Sequence, residues 1–393
     1  MKAYMVQSEK RIAPFGDHPR DCLIVNKPLA VIQKEVLTSI GIDLVTVADD
    51  SSINDEREHL VFVDQLYFSV ELLSEFISKS RDMQRRTVAA LKPGLTTLRT
   101  IVNTQDVSFH PDRIEYDLRY VPSGGLRSDF QPIVIKADQM EETVLFPRHL
   151  FGEREYRVPL TDKLIVQIDH WTNLLAANIV TLLAEGARLK QGSKLRLLWL
   201  ALKARSINQW KVLRQMNRIG QDCDIHPTAY IEGSTIGDNV KIGAMAIVRE
   251  SMVGDGTHIA NHSSVELSVI GDACALWGGA LVQYSVLYPE TFTQAQVINA
   301  SICGKDTFLG AGAVLTDFRL DRKSVMVLKD GTLKDTGNTF LGSCLGHSVY
   351  IGSGCVISPG RAVSRDLRIV PNIERRLRSF RSAEYIRGFQ LIR

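Results

Sequence analysis

The sequence predicts an α/β domain, a helical segment and a parallel β-helix, in that order along 393 residues. Three observations carry this. Before residue 80, short β-rich runs alternate with stretches of helical periodicity. Over 163–218 the pattern becomes amphipathic and helical. From Ile219 onward, aliphatic residues recur in blocks of six, six and five.

Lys2–Val6 (KAYMV) is an apolar run that reads as the first strand. A loop follows, and spacing at Leu29, Ile32, Val36, Leu37 and Ile40 marks a helix. Asp43–Val47 (DLVTV) and the run 60–63 (LVFV) are further strands, and 66–78 (LYFSVELLSEFIS) is again helical. Such alternation predicts a parallel sheet with covered faces. The ends of TVAALKP and QPIVIKA read as strands, and SFHPDRIEYDLRYVPSGGLRSDF as turns and edge strands, which completes a first domain over 1–162.

Residues 163–218 read as a helical linker. Ile168, Trp171, Leu174, Leu175, Ile179, Leu182 and Leu183 follow i, i+3, i+4, i+7 spacing. A second helical run over 194–217 carries Lys203, Arg205, Lys211 and Arg214, with Arg218 just after it. These charges form a solvated face or meet an anionic partner.

The β-helix is predicted over 219–371. Its leading residues are Ile219, Ile225, Ile231; Ile236, Ile242, Val248; Val253, Ile259, Val265; and Ile270, Leu276, Val282. Each coil repeats after 17 residues, and all twelve block starts are aliphatic. One aliphatic residue per six suits a coil of triangular section, with small residues such as Gly and Asp at the corners. Stacking between coils then supplies the stability. The pattern falters at LYPETFTQAQVINAS and resumes at Cys303, Leu309 and Leu315. Residues 316–339 break the period and read as a hairpin excursion, after which Leu345, Ile351, Ile357 and Val363 restore it. The basic tail 372–393, with helical character, is expected to cap the last coil.

Composition bounds the function. Hydrophobic content of 45% and charged content of 23% are ordinary for a globular chain. A net charge of +3 gives no strong reason to propose nucleic acid as a partner. MKAYMVQSEKR has no apolar core of a signal peptide, and no run of about 18 apolar residues predicts a membrane span. Six cysteines without CxxC spacing read as buried thiols in a reducing, cytoplasmic compartment.

The repeat resembles the hexapeptide-repeat transferases, which form left-handed parallel β-helices. The whole chain resembles the two-domain sugar-1-phosphate nucleotidylyltransferases, whose relatives include bifunctional glucosamine-1-phosphate acetyltransferase/uridylyltransferases. MKAYMVQSEKRIAPF stands at their glycine-rich loop, NKPLAVIQKEVLTSIGID at their GKPL stretch, and VFVDQLYFSVELLSEFI at the strand ending in a metal-binding Asp. GKDTFLGAGAVLTDFRLD and DTGNTFLGSCLGHSVYIGSGCVISPG resemble the acyltransferase half of archaeal bifunctional members. The resemblance implies a Rossmann-like nucleotidyltransferase domain followed by a left-handed β-helix. It implies a nucleoside triphosphate and a sugar phosphate as partners, Mg²⁺ for nucleotidyl transfer, acetyl-CoA for acyl transfer, and a homotrimer.

Nucleotidyl transfer needs backbone donors and cations on the triphosphate, and Mg²⁺ held by carboxylates. Asp64 closes an apolar strand, as a metal ligand does in the family, or it caps the next helix. Ser8 and Lys10 stand where the family has two glycines, and Glu9 adds negative charge beside them. Arg11 aligns with the family's loop Arg, and Arg20 or Pro19 with its catalytic Lys. These cations meet phosphate or are solvated. Loss of both glycines and the Lys implies weakened or lost pyrophosphorylase chemistry.

For acyl transfer, a neutral-range His is the usual general base. The family's catalytic His aligns with Gln294 and its Asn with Asp317. His258 and His262, in GTHIANHSS, are the remaining candidates for an acyl site between subunits, or are polar surface. Three functions therefore stand: nucleotidyl transfer from an NTP to a sugar 1-phosphate, hexapeptide acyl transfer from acetyl-CoA, or a non-catalytic nucleotide-sugar sensor or trimeric scaffold.

Overall fold

In a computed structural model, the chain is described over residues 1–124, 129–146, 155–191, 194–371 and 389–392. It divides into two compact units. The first is Met1–Ile12, Asp17–Gln191 and Thr336–Asn338; the second is Ala13–Gly16, Gly192–Asp335 and Thr339–Arg393.

The first unit is built on a mixed sheet. The strand Lys2–Val6 lies between Asp43–Val47 and His59–Val63, parallel to both. Thr87–Leu91 and Gln131–Ile135 form a second parallel pair. Between the two sets runs Ile114–Val121, antiparallel to its neighbours on each side. The expected all-parallel sheet is therefore corrected, and so is the reading of this stretch as edge. Ile114, Tyr116, Leu118 and Tyr120 are buried, while Glu115, Asp117 and Arg119 point to the opposite face. That two-residue alternation suits an internal antiparallel strand whose second face keeps its charges paired, as Arg119 does with Asp117 at 2.7 Å.

The helices Leu29–Ser39 and Val70–Met83 follow the strands as expected. The second begins later than its apolar run, because Leu66–Phe68 is a short strand paired with Ile165–Gln167. Ser69 starts the helix by accepting a hydrogen bond from Leu72 N. The long helix Trp171–Gln191 lies within the first unit, beyond the expected boundary at residue 162. Its Trp171, Leu174 and Ala177 are buried, and its Asn178 receives Val25 N at 2.7 Å and donates to Leu23 O at 3.0 Å.

The second unit carries two helices, Lys194–Ala204 and Gln209–Arg214, and then a left-handed parallel β-helix with three faces. Strand partners sit 17 residues apart in the early coils, as in Ile242 beside Ile259. The block-start residues from Ile231 to Val282 are buried in one continuous core. Ile219 heads the first coil and is exposed, because no coil stacks beneath it. The helix does not falter at LYPETFTQAQVINAS. That coil is one residue short, with Val286 beside Ile302, and buried Thr293 occupies an aliphatic position.

Two devices hold the corners. Gly254 sits where an added Cβ would lie 2.6 Å from Asp272 N and Gly271 C of the next coil. The Asp272 carboxylate in turn accepts Asp255 N at 2.9 Å. At another corner, buried Ser234, Ser251, Ser268, Ser285, Ser301 and Ser343 form a ladder, each hydroxyl but the last accepting the next serine's N–H at 3.0–3.1 Å.

The excursion is a hairpin, Met326–Lys329 against Thr332–Asp335, turning at Asp330 and Gly331, both with positive φ. Cysteines 22, 223, 274, 303, 344 and 355 are free thiols, and all but Cys223 are buried. Burial pushes the Cys274 thiol up to about 12. Of the basic tail, 372–388 and 393 lie outside the described residues. Phe389–Ile392 forms a strand antiparallel to Arg368–Pro371, at the end of the last coil.

Candidate functional site

In the first unit, the carboxyl ends of Lys2–Val6 and His59–Val63 lie side by side, so the residues after them meet. Asp64 N bonds to Val6 O at 3.0 Å. Ser8 N donates to Asp64 Oδ2 at 3.2 Å, and Ser8 Oγ to Gln65 Oε1 at 3.4 Å. Loops at the carboxyl ends of parallel strands are where α/β sheets bind ligands.

Arg20, in the short 3₁₀ turn Pro19–Asp21, donates to Asp64 Oδ2 at 2.8 Å and to Ser8 O at 3.3 Å. The Asp64 carboxylate is fully buried, while Arg20 keeps some exposure. Gln33, buried on the first helix, donates to Asp64 O at 3.0 Å and Leu66 O at 2.8 Å. Asp64 does not cap the helix that follows; Ser69 does.

Lys10 belongs to a second cluster. It donates to Asp169 Oδ1 at 2.6 Å and also to Asp106. Asp169 Oδ2 accepts Asp106 N at 2.6 Å and Gln167 Nε2 at 3.0 Å. Burial alone lowers the Lys10 ammonium, but its bonds to Asp106 and Asp169 outweigh this and hold it above its ordinary value. Arg11 is exposed.

The structure thus brings Ser8, Arg20 and Asp64 together and sets Lys10 beside Asp169. Sequence reading missed Asp106, Gln167 and Asp169. One signal was present for Asp169: like Asp64, it follows an apolar strand, here Ile165–Gln167. Asp64 Oδ1 is buried without a hydrogen-bond partner. One open carboxylate oxygen fits a Mg²⁺ that arrives with phosphate and keeps most of its ligands outside the protein. Among the described residues no group of three His, Cys, Asp or Glu forms a complete cage.

In the second unit, His258 lies on a strand with its ring edge-on to Trp277 at 5.4 Å. His262 is an exposed corner residue with φ 61°, equivalent to Met245 one coil earlier with φ 56°. Neither imidazole is hydrogen-bonded to a carboxylate among the described residues, so no orienting group prepares a base. Gln294 is exposed, and Asp317 is partly buried, which raises its carboxyl. His347 is built into its coil, with Nδ1 accepting Lys305 N at 2.8 Å.

Residues 203–303 match a family model described as the GMPPB C-terminal domain. The chain resembles the sugar-1-phosphate nucleotidylyltransferases with a hexapeptide-repeat half. The match covers about a quarter of the chain, at the last helices and first coils. No curated protein matches the chain. Among solved structures it is similar to a UDP-N-acetylglucosamine acyltransferase from Campylobacter jejuni, at 17% identity and TM-score 0.20, over 42% of this chain and 75% of that one. It is also similar to the acetyltransferase domain of PglB from Neisseria gonorrhoeae in complex with acetyl coenzyme A. That likeness has 14% identity and TM-score 0.15, over 38% of this chain and 51% of that one. Values this low assign neither a substrate nor a reaction. No helix among the described residues is long and apolar enough to cross a membrane.

Proposed function

We propose that the protein is a sugar-nucleotide-metabolism transferase whose first unit takes a nucleoside triphosphate and a sugar 1-phosphate at the carboxyl ends of Lys2–Val6 and His59–Val63. The observation that supports this is the convergence of Ser8 N–H, Arg20 and Asp64 at those ends, with Lys10 in the same loop. A sugar phosphate oxygen attacks the α-phosphorus, that O–P bond forms, and the bond to the pyrophosphate oxygen breaks. Lys10 and Arg20 neutralise phosphate charge, Ser8 N–H donates to it, and Arg11 is the further cation of the loop. Mg²⁺ would be held by Asp64 and would supply charge neutralisation on the triphosphate.

Both central cations are ion-paired with buried carboxylates. A triphosphate must compete with Asp64 and Asp169 for them, so the reading is of a slow enzyme. If the ion pairs never yield, the site binds a nucleotide sugar without turnover. A cytoplasmic homotrimer completes the reading, with a trimeric mass by light scattering as its check.

A thermal-shift titration against UTP, dTTP, GTP, CTP and ATP with Mg²⁺, and separately against acetyl-CoA, tests it. A ligand at one hundred times its Kd stabilises the fold by about 2.7 kcal/mol. The reading expects a shift with an NTP, loss of that shift in Arg20→Met, and pyrophosphate release with a sugar 1-phosphate. A shift with acetyl-CoA alone, lost in His258→Ala or His262→Ala, moves the activity to the β-helix. No shift with any of them overturns the nucleotide site.

A further inference from the structure

We propose that the two helices preceding the β-helix form a docking surface for an anionic lipid bilayer, separate from the nucleotide site. Residues 194–218 carry seven lysines and arginines and no aspartate or glutamate. The whole chain is only +3, so the remainder is net negative, and this stretch and the basic tail 372–393 hold the excess positive charge.

Five apolar residues in this stretch, Leu198, Trp199, Leu202, Ile207 and Trp210, are displayed rather than buried. On the helix Lys194–Ala204, Leu198 and Leu202 stand one turn apart with Trp199 beside them, at 57%, 68% and 59% exposure. Leu200 takes the opposite face and is buried, so the turn from Leu198 to Leu202 is anchored on one side and bare on the other. Ile207, in the turn to the next helix, is 97% exposed. Asn208 caps that helix by accepting Trp210 N at 3.0 Å. Arg249, from the β-helix, lies 5.2 Å from the Trp210 ring, and Arg214 lies 5.3 Å from Tyr230, which fixes the second helix to its coil.

The cations border this apolar face. Lys203 Nζ lies 5.5 Å from the Trp199 ring. Lys203, Arg205, Lys211 and Arg218 are exposed, and none has an acidic partner among the described residues. A solvated helix has no use for exposed Leu, Trp and Ile. A nucleic-acid surface uses the cations but gains little from the aliphatic chains. A bilayer interface uses both: phosphate headgroups meet the cations, and Leu198, Trp199, Leu202 and Ile207 enter the headgroup–acyl boundary.

The test is co-sedimentation of the full chain with vesicles of phosphatidylglycerol and phosphatidylcholine, and with phosphatidylcholine alone, at low and high salt. The expected result is binding to the anionic vesicles, weak binding to the neutral ones, and loss at high salt. Leu198→Ser with Leu202→Ser and Ile207→Ser lowers partitioning by at least about tenfold, because the inserted aliphatic groups are gone. Lys203→Glu with Lys211→Glu does the same through charge. Both sets alter exposed side chains, and an unchanged unfolding midpoint confirms that the variants fold. Absence of binding to anionic vesicles overturns the proposal. So does undiminished binding by the serine variant, or a preference for a single-stranded oligonucleotide over the vesicles.

Discussion

Arg20 donates to Asp64 Oδ2 at 2.8 Å, and the carboxylate it meets has no solvent-exposed surface. The cation and carboxylate that a nucleotidyl-transfer site turns on its substrate are here directed at each other. Breaking a buried pair from one side leaves an uncompensated charge. Arg20→Met is expected to lower stability by about 3 kcal/mol in urea unfolding. Adding Asp64→Asn to that variant recovers part of the loss, and the shortfall from additivity measures the coupling. A cost below about 0.5 kcal/mol for Arg20→Met means the pair does not hold the loop.

Lys10 makes stability depend on alkaline pH. Its folded-state pKa lies above the unfolded value, so its contribution is complete below about 10.4 and fades as pH rises through the folded value. The difference in unfolding free energy between wild type and Lys10→Met is expected to stay level from neutral pH to that point and then shrink. A difference that grows with alkaline pH contradicts the pairing with Asp106 and Asp169.

The serine ladder predicts a cost where no apolar surface is lost. Ser268 Oγ accepts Ser285 N at 3.1 Å and donates to Glu266 O at 2.7 Å. Ser268→Ala strands a buried backbone N–H, which costs about 1–3 kcal/mol. Denaturant midpoints for Ser268→Ala and for Ser264→Ala, a half-buried serine whose hydroxyl donates to the Glu266 side chain at 3.1 Å, separate this from a general effect of serine removal.

Two glycines predict opposite reasons for the same substitution. Gly254→Ala forces a Cβ to within 2.6 Å of the next coil's backbone, and overpacking of this kind costs about 1–3 kcal/mol or more. Gly41 has φ 73° with open space around it, so Gly41→Ala costs about 1–2 kcal/mol through backbone strain alone. Thermal unfolding is expected to rank Gly254→Ala as the more damaging, and the reverse order rejects close coil approach as the cause.

Legibility differed sharply between the units. Lys2–Val6 and Asp43–Val47 were readable to the residue because apolar runs mark them. Ile114–Val121 was misread because its charged residues alternate with its core residues, and only a covered face tells an internal strand from an edge. The serine ladder was missed because serine is equally at home on a surface corner. Asp169 was missed because an aspartate after a strand reads as a turn until Lys10 is seen against it.

The sequence by itself determined the β-helix. Before the excursion each coil meets the next at 16 or 17 residues, so the periodic aliphatic residues specify core, register and corner together, as Ile242 beside Ile259 and Gly254 beneath Asp272 show. It also determined the excursion and the concentration of charge before the repeat. Only the tertiary structure decided the state of the candidate site. Lys10 finds its partners 96 and 159 residues away, and Arg20 finds Asp64 at 44. No period links such residues. Ser8 and Asp64 meet because two parallel strands end side by side, and Asp169 is brought near by the antiparallel pairing of Ile165–Gln167 with Leu66–Phe68, so the fold pairs the site's cations with its own carboxylates.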